Sequence, residues 1–347
     1  MKYGPVSLEQ AAGTILAHHV LDKDGRRTLT KGHLLTSANI ESLAALGYTV
    51  ITAVTLEAND LTENEAARRV GIALCGPGVS LQATGVGRAN LIAQVAGPLR
   101  VNVDALYRIN SIDEGITVAV LREHTLVRAG QLVTLVKIIP FALPTAAVVD
   151  VEAIARDYQP ALVVSVRALR ACSVALIVSA PDSGRDRLLA DFIHPTRTRL
   201  ERLGSRLDSI AHVPHQPADI AAAMRAQHAA GRDLVILAGI SATMDRDDII
   251  PQAVRIAGGR VSQLGVPVDP GSLLMLAWLD AMPIIGAPGC MKSLQTNVID
   301  LILPRLLAGE RLTRADLALM GHGGLFDDTL DRPMPRDDRT TVRDRVS

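Results

Sequence analysis

The stretch Asp233-Leu234-Val235-Ile236-Leu237-Ala238-Gly239-Ile240-Ser241 decides the fold class. Its unbroken apolar run, with β-branched members, predicts a strand buried on both faces, as in a parallel sheet covered by helices. Similar apolar runs predict strands at 162–166, 174–178, 210–213, 261–268, 273–276 and 283–285, and helical patterns separate them at 196–207, 217–229, 251–257 and 292–307. This alternation predicts an α/β domain over residues 151–330, with a mainly parallel sheet between two layers of helices.

The sequence pattern of residues 1–150 predicts a smaller α+β region, and a subdivision is expected near residue 75. Thr62 and Glu65 have the spacing of a capping box, which predicts a helix over 62–74. Strands are predicted at 116–121 and 132–139, joined through a turn at Gly130. The stretch Gly85-Val86-Gly87-Arg88 is glycine-rich, but no convincing strand is predicted before it. Residues 331–347 are mostly charged or proline and predict a disordered tail.

The composition excludes several classes of function. Lys and Arg together number 36, as do Asp and Glu, so there is no basic surplus for general binding to nucleic acid or to an anionic membrane. No apolar run reaches the roughly 18–20 residues that span a bilayer, and no signal peptide is recognised. Three widely spaced cysteines, Cys75, Cys172 and Cys290, predict neither a disulfide framework nor a zinc site. A cytoplasmic protein is expected.

Candidate ligand-binding residues follow the strand that ends near Leu237. Ligands of doubly wound sheets bind at the carboxyl ends of the strands. Gly239 and Ser241 predict a phosphate contact, and Asp245 and Asp248 have the oxygen ligands that magnesium prefers. The alternative, given equal weight, is a helix entry in which Asp247 or Asp248 serves as the N-cap.

Two further loops follow predicted strands. The loop Asp269-Pro270-Gly271-Ser272 is either a plain turn or a second ligand contact. The loop Gly286-Ala287-Pro288-Gly289-Cys290-Met291-Lys292-Ser293 runs into a predicted helix, which favours an anion cradle at the helix start. Near such a terminus the Cys290 thiol would have a lowered pKa, and the alternative is a buried, inert cysteine.

These loops, in this order, resemble the molybdopterin-binding domain of molybdenum-cofactor biosynthesis, found in molybdopterin adenylyltransferases and molybdotransferases. The resemblance covers roughly residues 160–310. A finer resemblance is to a subgroup that carries this unit ahead of a cytidylyltransferase-like nucleotidyltransferase domain. It rests on Asn110…Asp113-Glu114, on Gly130-Gln131-Leu132-Val133 and the following strand, on Pro267-Val268-Asp269-Pro270-Gly271, on Gly286-Ala287-Pro288-Gly289-Cys290 and on Met320-Gly321-His322-Gly323-Gly324-Leu325.

The resemblance implies a three-layer fold, a homo-oligomer and a site for molybdopterin, with magnesium as a second cofactor. Asp245 and Asp248 would be the catalytic and metal-binding residues. The residues that contact molybdopterin would be Gly239, Ile240, Ser241, Asp269, Pro270, Gly271, Pro288, Gly289, Cys290 and Ser293. The sequence departs from the family at Ala238, Asp269 and Cys290-Met291, where paired glycine, lysine and Asn-Pro are usual. These departures weaken the expectation of catalysis more than the expectation of molybdopterin binding.

Three functions are therefore weighed. The first is a molybdopterin-binding protein of molybdenum-cofactor biosynthesis, in the form of a transferase. The second is a non-catalytic carrier or sensor that serves a nucleotidyltransferase partner. The third, and remotest, is a nucleotide-dependent oxidoreductase, which the incomplete glycine fingerprint argues against.

Overall fold

The computed structural model describes residues 1–159 and 162–326. The chain divides into two compact units, unit 1 over Met1–Ala168 and unit 2 from Leu169 onward. The predicted disordered tail at 331–347 lies outside the described residues.

Unit 1 is built from short antiparallel sheets and the helices that cover them. Its strands are β1 (Lys2–Ser7), β2 (Ile15–Leu16), β3 (Val20–Leu21), β4 (Arg27–Leu29), β5 (Val50–Thr55), β6 (Asp60–Thr62), β7 (Val79–Gly85), β8 (Arg88–Ala93), β9 (Gly97–Val101), β10 (Ile116–Val120), β11 (Leu126–Val127), β12 (Leu132–Ile138), β13 (Ala142–Pro144) and β14 (Val164–Val166). Its helices are α1 (Ser37–Ala45), α2 (Glu63–Leu74), α3 (Val103–Asn110) and α4 (Thr145–Asp157).

The sheets of unit 1 are ordered β1-β5-β2, β10-β12-β8-β7, β11-β9-β14, β13-β6 and β3-β4. Thr62 is the N-cap of α2 as predicted, since its side chain accepts a hydrogen bond from the Glu65 amide at 3.4 Å, but the Glu65 carboxylate accepts from Arg68 and does not complete the capping box. The pairing of β10 with β12 confirms the two predicted strands, although β11 lies between them in the chain.

The glycine-rich stretch at Gly85-Val86-Gly87 is a hairpin turn between β7 and β8. All three residues have positive φ, at 75°, 53° and 63°, as tight turns between antiparallel strands require. The expectation that no strand precedes it was therefore wrong, because β7 ends directly at this turn.

Helix α4 and strand β14 belong to unit 1. Helix α4 packs against α2 and α3, and β14 pairs antiparallel with β9. The predicted domain boundary at 150/151 thus falls inside a helix of unit 1, and the run at 162–166 does not join the α/β sheet.

Unit 2 contains a six-stranded sheet flanked by helices. Its strands are β15 (Ser173–Ser179), β16 (Arg206–Val213), β17 (Leu234–Gly239), β18 (Arg260–Leu264), β19 (Met275–Leu279) and β20 (Met282–Gly286). Its helices are α5 (Arg185–Arg202), α6 (Pro217–Ala229), α7 (Ile249–Ile256), α8 (Val298–Leu307) and α9 (Arg314–Ala318). The strand order is β16-β15-β17-β20-β19-β18, and β19 runs opposite to the other five strands of this sheet.

The sheet of unit 2 is buried on both faces, which confirms the predicted fold class. Along β15, Val174, Leu176 and Val178 enter one core with residues of α5 and α8. The alternate residues Ala175 and Ile177 enter a second core with residues of α6 and α7. A strand that fills two cores has no polar face, which explains the unbroken apolar runs of the sequence.

One predicted helix begins later than expected. The pattern at 292–307 predicted a helix from Lys292, but α8 begins at Val298 and is preceded by a short 3₁₀ turn over Gly289–Lys292. Asn297 and Asp300 form a capping box that sets this start. No helix in the described residues is both long and apolar enough to cross a membrane.

Candidate functional site

Three loops of unit 2 leave the sheet at one edge, here called the carboxyl edge. Leu237 of β17 lies opposite Gly286 of β20, and Gly286 lies opposite Met275 of β19. Met275 in turn lies opposite Leu264 at the end of β18. Because β18 and β20 both run antiparallel to β19, the chain leaves β17, β18 and β20 on the same side. The loops that follow these strands, at 240–248, 265–274 and 287–297, therefore share this edge.

The loop after β17 begins in a tight turn and ends in a helix cap. A Cβ on Gly239 would lie 3.2 Å from both the Ile250 Cδ1 and the Ser241 carbonyl oxygen, so this position leaves little room for a side chain. Ile240 and Ser241, which follow, are exposed.

The two candidate metal ligands of this loop take part in its folding. Asp248 is the N-cap of α7, and its carboxylate accepts hydrogen bonds from the Ile249 amide at 2.7 Å and the Met244 amide at 3.1 Å. Asp245 accepts one from the Asp247 amide at 2.8 Å. The helix-entry interpretation thus describes the resting loop. Within residues 1–159 and 162–326, no group of three or more His, Cys, Asp or Glu side chains is arranged to hold a metal ion.

Backbone hydrogen bonds hold the loop after β18 against neighbouring segments of unit 2. The Asp269 amide donates to the Gly324 carbonyl at 2.8 Å, and the Phe326 amide donates back to the Asp269 carbonyl at 3.2 Å. The Asp269-Pro270 peptide is cis, and the Pro270 carbonyl accepts from the Val298 amide at 3.1 Å. This loop forms a fixed wall beside the first turn of α8.

Gly271 occupies a position in this wall that only glycine can fill. Its φ is +126°, and a Cβ would lie 2.2 Å from the Val298 Cγ1. Both the backbone conformation and the close approach of α8 therefore require glycine.

The loop after β20 differs from the predicted anion cradle. Ser293 is exposed and its hydroxyl accepts from the Gln295 amide at 3.1 Å, but it lies five residues before α8 begins. The Lys292 Nζ is 3.4 Å from a carboxylate oxygen of Asp191 and 5.2 Å from the centre of the Phe192 ring, so it is directed toward α5. The predicted helix start at this loop was wrong, because Asn297 caps α8 further along.

The Cys290 thiol has the properties of the inert alternative. Burial raises its pKa above the ordinary thiol value, against a smaller lowering effect from its own backbone and Arg199. Of the two alternatives for this thiol, the raised pKa agrees with the inert cysteine, because desolvation disfavours the thiolate.

Arg199 holds the β20 loop in place, and the sequence did not single it out. Its side chain is only 4% exposed, and its Nε is 2.9 Å from the Asp300 carboxylate. The same guanidinium donates to the backbone carbonyls of Met291 at 3.3 Å and Gln295 at 3.1 Å. An arginine on a helix carries no local signal of such contacts, since its partners lie about a hundred residues away in the chain.

Ser179 and His215 form a second feature of the carboxyl edge that sequence reasoning missed. The Ser179 hydroxyl is 2.8 Å from the His215 Nδ1, and a Cβ on Gly239 would lie 3.6 Å from the His215 Cε1. Ser179 is the last residue of β15. Because ligands of such sheets bind at the carboxyl ends of the strands, Ser179 lies where a ligand contact is expected.

The chain matches known families over two segments. Residues 196–308, which contain the three loops, match the model of a "probable molybdopterin binding domain". Residues 5–55 match a domain of unknown function (DUF8806). No curated protein matches the chain. The match over 196–308 supports the resemblance to the molybdopterin-binding domain, while the finer subgroup resemblance stays a prediction.

Similar solved structures include three from molybdenum-cofactor biosynthesis. The enzyme MoaB of Thermus thermophilus is 18% identical, with 40% of this chain and 98% of that chain covered and a TM-score of 0.32. A molybdenum cofactor biosynthesis protein of Pyrococcus furiosus is 11% identical, with 91% and 65% covered and a TM-score of 0.24. The MoeA protein of Pyrococcus horikoshii is 12% identical, with 89% and 75% covered and a TM-score of 0.29.

Proposed function

We propose that unit 2 binds molybdopterin, or an intermediate of the molybdenum cofactor, at the carboxyl edge of its sheet, and that the protein takes part in molybdenum-cofactor biosynthesis. One observation carries the proposal. The three loops that were singled out from the sequence lie at one sheet edge, inside the segment that matches the molybdopterin-binding-domain model.

The ligand phosphate would lie between the loops that follow β17 and β20. Nothing lies within 4 Å of the place where a Cβ of Gly289 would be, so a ligand can approach that backbone closely. The exposed hydroxyls of Ser241 and Ser293 can donate to phosphate oxygens. Asp269, Pro270, Gly271, Pro288 and Cys290 would line the same space, the first three as the fixed wall.

Magnesium fits this edge only in part. Asp248 already accepts two backbone hydrogen bonds, and Asp245 accepts one. An ion held by these two carboxylates would take most of its oxygen ligands from phosphate and water, as magnesium commonly does.

Two forms of the function remain, a transferase and a carrier or sensor that passes the cofactor to a nucleotidyltransferase. The arrangement of the acidic and basic groups favours the carrier. The carboxylate of Asp248 caps α7, and Lys292 pairs with Asp191. In the resting site these two groups are thus occupied by structural contacts. A cytoplasmic homo-oligomer is part of the same proposal.

Titration calorimetry of the full chain with molybdopterin, with and without magnesium, tests binding. We expect Ser293→Ala to weaken binding about tenfold, since a hydrogen bond to a charged group contributes about 1.5–3 kcal/mol. Ser42→Ala is the control, because Ser42 is exposed in unit 1 and its hydroxyl donates to the Ala38 carbonyl. Equal affinity of both variants, or no binding by the wild type, would contradict the proposal.

Incubation of the loaded protein with ATP or with molybdate separates the two forms. An adenylylated or molybdenum-loaded product identifies a transferase. Retained, unaltered molybdopterin identifies a carrier, and a nucleotidyltransferase partner is then expected to accept the ligand from it.

A further inference from the structure

A cavity lies at the opposite edge of the sheet of unit 2, away from the three loops. It has a volume of about 470 Å³ and opens where β17 begins, where β19 turns into β20, and where α6 and α8 end. Small-molecule sites commonly measure about 300–1,000 Å³. Three arginines line it, Arg170, Arg232 and Arg311, together with Trp278.

Two of these arginines are tethered by a single N–H group each. The Nε of Arg170 donates to the Leu307 carbonyl at 3.2 Å. The NH1 of Arg311 donates to the Asp280 carbonyl at 3.3 Å, and its guanidinium lies 4.6 Å from the centre of the Trp278 ring. A guanidinium has five N–H donors, so each arginine is held in place while most of its donors remain available. The part of the chain that the structure describes supplies no further partner for these donors.

Arg232 has a buried donor without a partner. Its NH1 donates to the Ser173 hydroxyl at 2.6 Å and lies 3.3 Å from the Asp208 carboxylate. Its Nε is buried and makes no hydrogen bond within the described residues. A buried donor without an acceptor is energetically unfavourable, and a bound acceptor would remove that cost.

Two acidic side chains line the cavity, Glu310 and Asp233. The Glu310 carboxylate is 2.8 Å from the Arg305 Nε, and both side chains are almost fully buried. The Asp233 carboxylate accepts from the Ser173 amide at 2.7 Å. The cavity is therefore lined by three guanidinium groups and two carboxylates, of which Glu310 has the buried Arg305 as its cationic partner while Asp233 keeps its charge.

We propose that this cavity binds a small polyanion that carries two or more phosphate or carboxylate groups. Guanidinium groups bind both oxyanions through paired N–H bonds, and three of them around one cavity favour an anion with several such groups. The site is distinct from the carboxyl edge and goes beyond the proposed molybdopterin binding.

Trp278 provides a built-in reporter because it is the single tryptophan of the chain. An anion that engages Arg311 changes the contact between the guanidinium and the indole. We expect the fluorescence of the full-length protein to change saturably with pyrophosphate or with citrate at constant ionic strength, and not with chloride. Whichever of the two acts identifies a phosphate or a carboxylate ligand. No saturable change in fluorescence or in calorimetry with either anion would overturn the proposal.

Variants locate the binding by calorimetry. We expect Arg311→Ala to weaken anion binding at least about tenfold and Arg311→Lys to weaken it less, since lysine keeps the charge but loses the paired donors. Arg225→Ala is the matched control, because Arg225 is exposed, donates to the Ile256 carbonyl at 3.0 Å and lies outside the cavity. Unchanged binding by Arg311→Ala, or equal losses in both alanine variants, would contradict the proposal. Loss in Ser293→Ala with full binding by Arg311→Ala would assign the anion to the carboxyl edge and overturn it as well.

Discussion

Arg199 shows how one buried residue fixes the geometry of the candidate site. It joins α5 to the loop after β20 through two backbone carbonyls, and to the first turn of α8 through Asp300. Without it, Met291 and Gln295 would lose donors and the position of Ser293 would no longer be set. The residue contacts no proposed ligand, so its contribution is to position the loop.

We expect Arg199→Ala to lower the free energy of unfolding by about 3 kcal/mol, because it removes the cationic partner of the Asp300 carboxylate and one donor each from the carbonyls of Met291 and Gln295. Urea unfolding measures the loss. Arg206→Ala is the control: Arg206 is 75% exposed, and Asp208 keeps Arg232 as a partner. It is expected to cost about 1 kcal/mol or less. Equal losses in the two variants would contradict the positioning role.

The raised pKa of Cys290 has a measurable consequence. Because burial disfavours the thiolate, the folded protein holds the neutral thiol at neutral pH, and the reactive form appears only at more alkaline pH than for a free cysteine. We expect iodoacetamide to label Cys290 more slowly in the native protein than in urea, as followed by mass spectrometry of its peptide. Faster labelling of the native protein at neutral pH would show that the pKa is lowered after all.

At the scale of elements, the Asp248 side chain at the start of α7 has two candidate roles, as a helix cap and as a magnesium ligand. Asp248 caps the helix through its carboxylate oxygens, and the same oxygens are the candidate magnesium ligands. Asparagine keeps a capping oxygen but removes the charge, so it separates the two roles.

We expect Asp248→Asn, which keeps one of the two acceptor oxygens, to lose about 0.5 kcal/mol in stability, and Asp248→Ala, which removes both, to lose about 1–2 kcal/mol. Urea unfolding compares the two variants. If Asp248 also holds magnesium, calorimetry will show that Asp248→Asn loses the magnesium dependence of molybdopterin binding. Magnesium dependence that survives in Asp248→Asn would limit Asp248 to the cap.

At the scale of the whole molecule, each unit has its own hydrophobic cores. Leu91 is fully buried in the main core of unit 1, and Leu276 is fully buried in a core of unit 2. Units with separate cores can unfold as separate cooperative transitions.

We expect Leu91→Ala and Leu276→Ala each to cost about 2–5 kcal/mol, and each to shift a different transition in scanning calorimetry. The two variants serve as controls for each other. A single transition that both substitutions shift equally would show that the units unfold together.

The sequence by itself determined the architecture of unit 2 and the place of its candidate site. Strands such as Leu234–Gly239 fill two cores, so their apolar character is continuous and can be read locally. Loops after such strands were identified as candidates because parallel strands end at one edge. The cap of α2 at Thr62 was equally visible, since its partner is three residues away.

Only the tertiary structure decided the features that depend on distant partners. The start of α8 depends on the Asn297 cap, on the Pro270 carbonyl and on Arg199. The apolar pattern of the sequence continues back to Lys292, so it did not indicate where the helix begins. Strand β14 follows the predicted domain boundary, yet it pairs with β9 about 65 residues earlier. The pKa of Cys290 and the arginines around Trp278 depend likewise on burial and on long-range contacts. Such contacts join residues that lie far apart in the chain at no regular spacing, so no local sequence pattern indicates them.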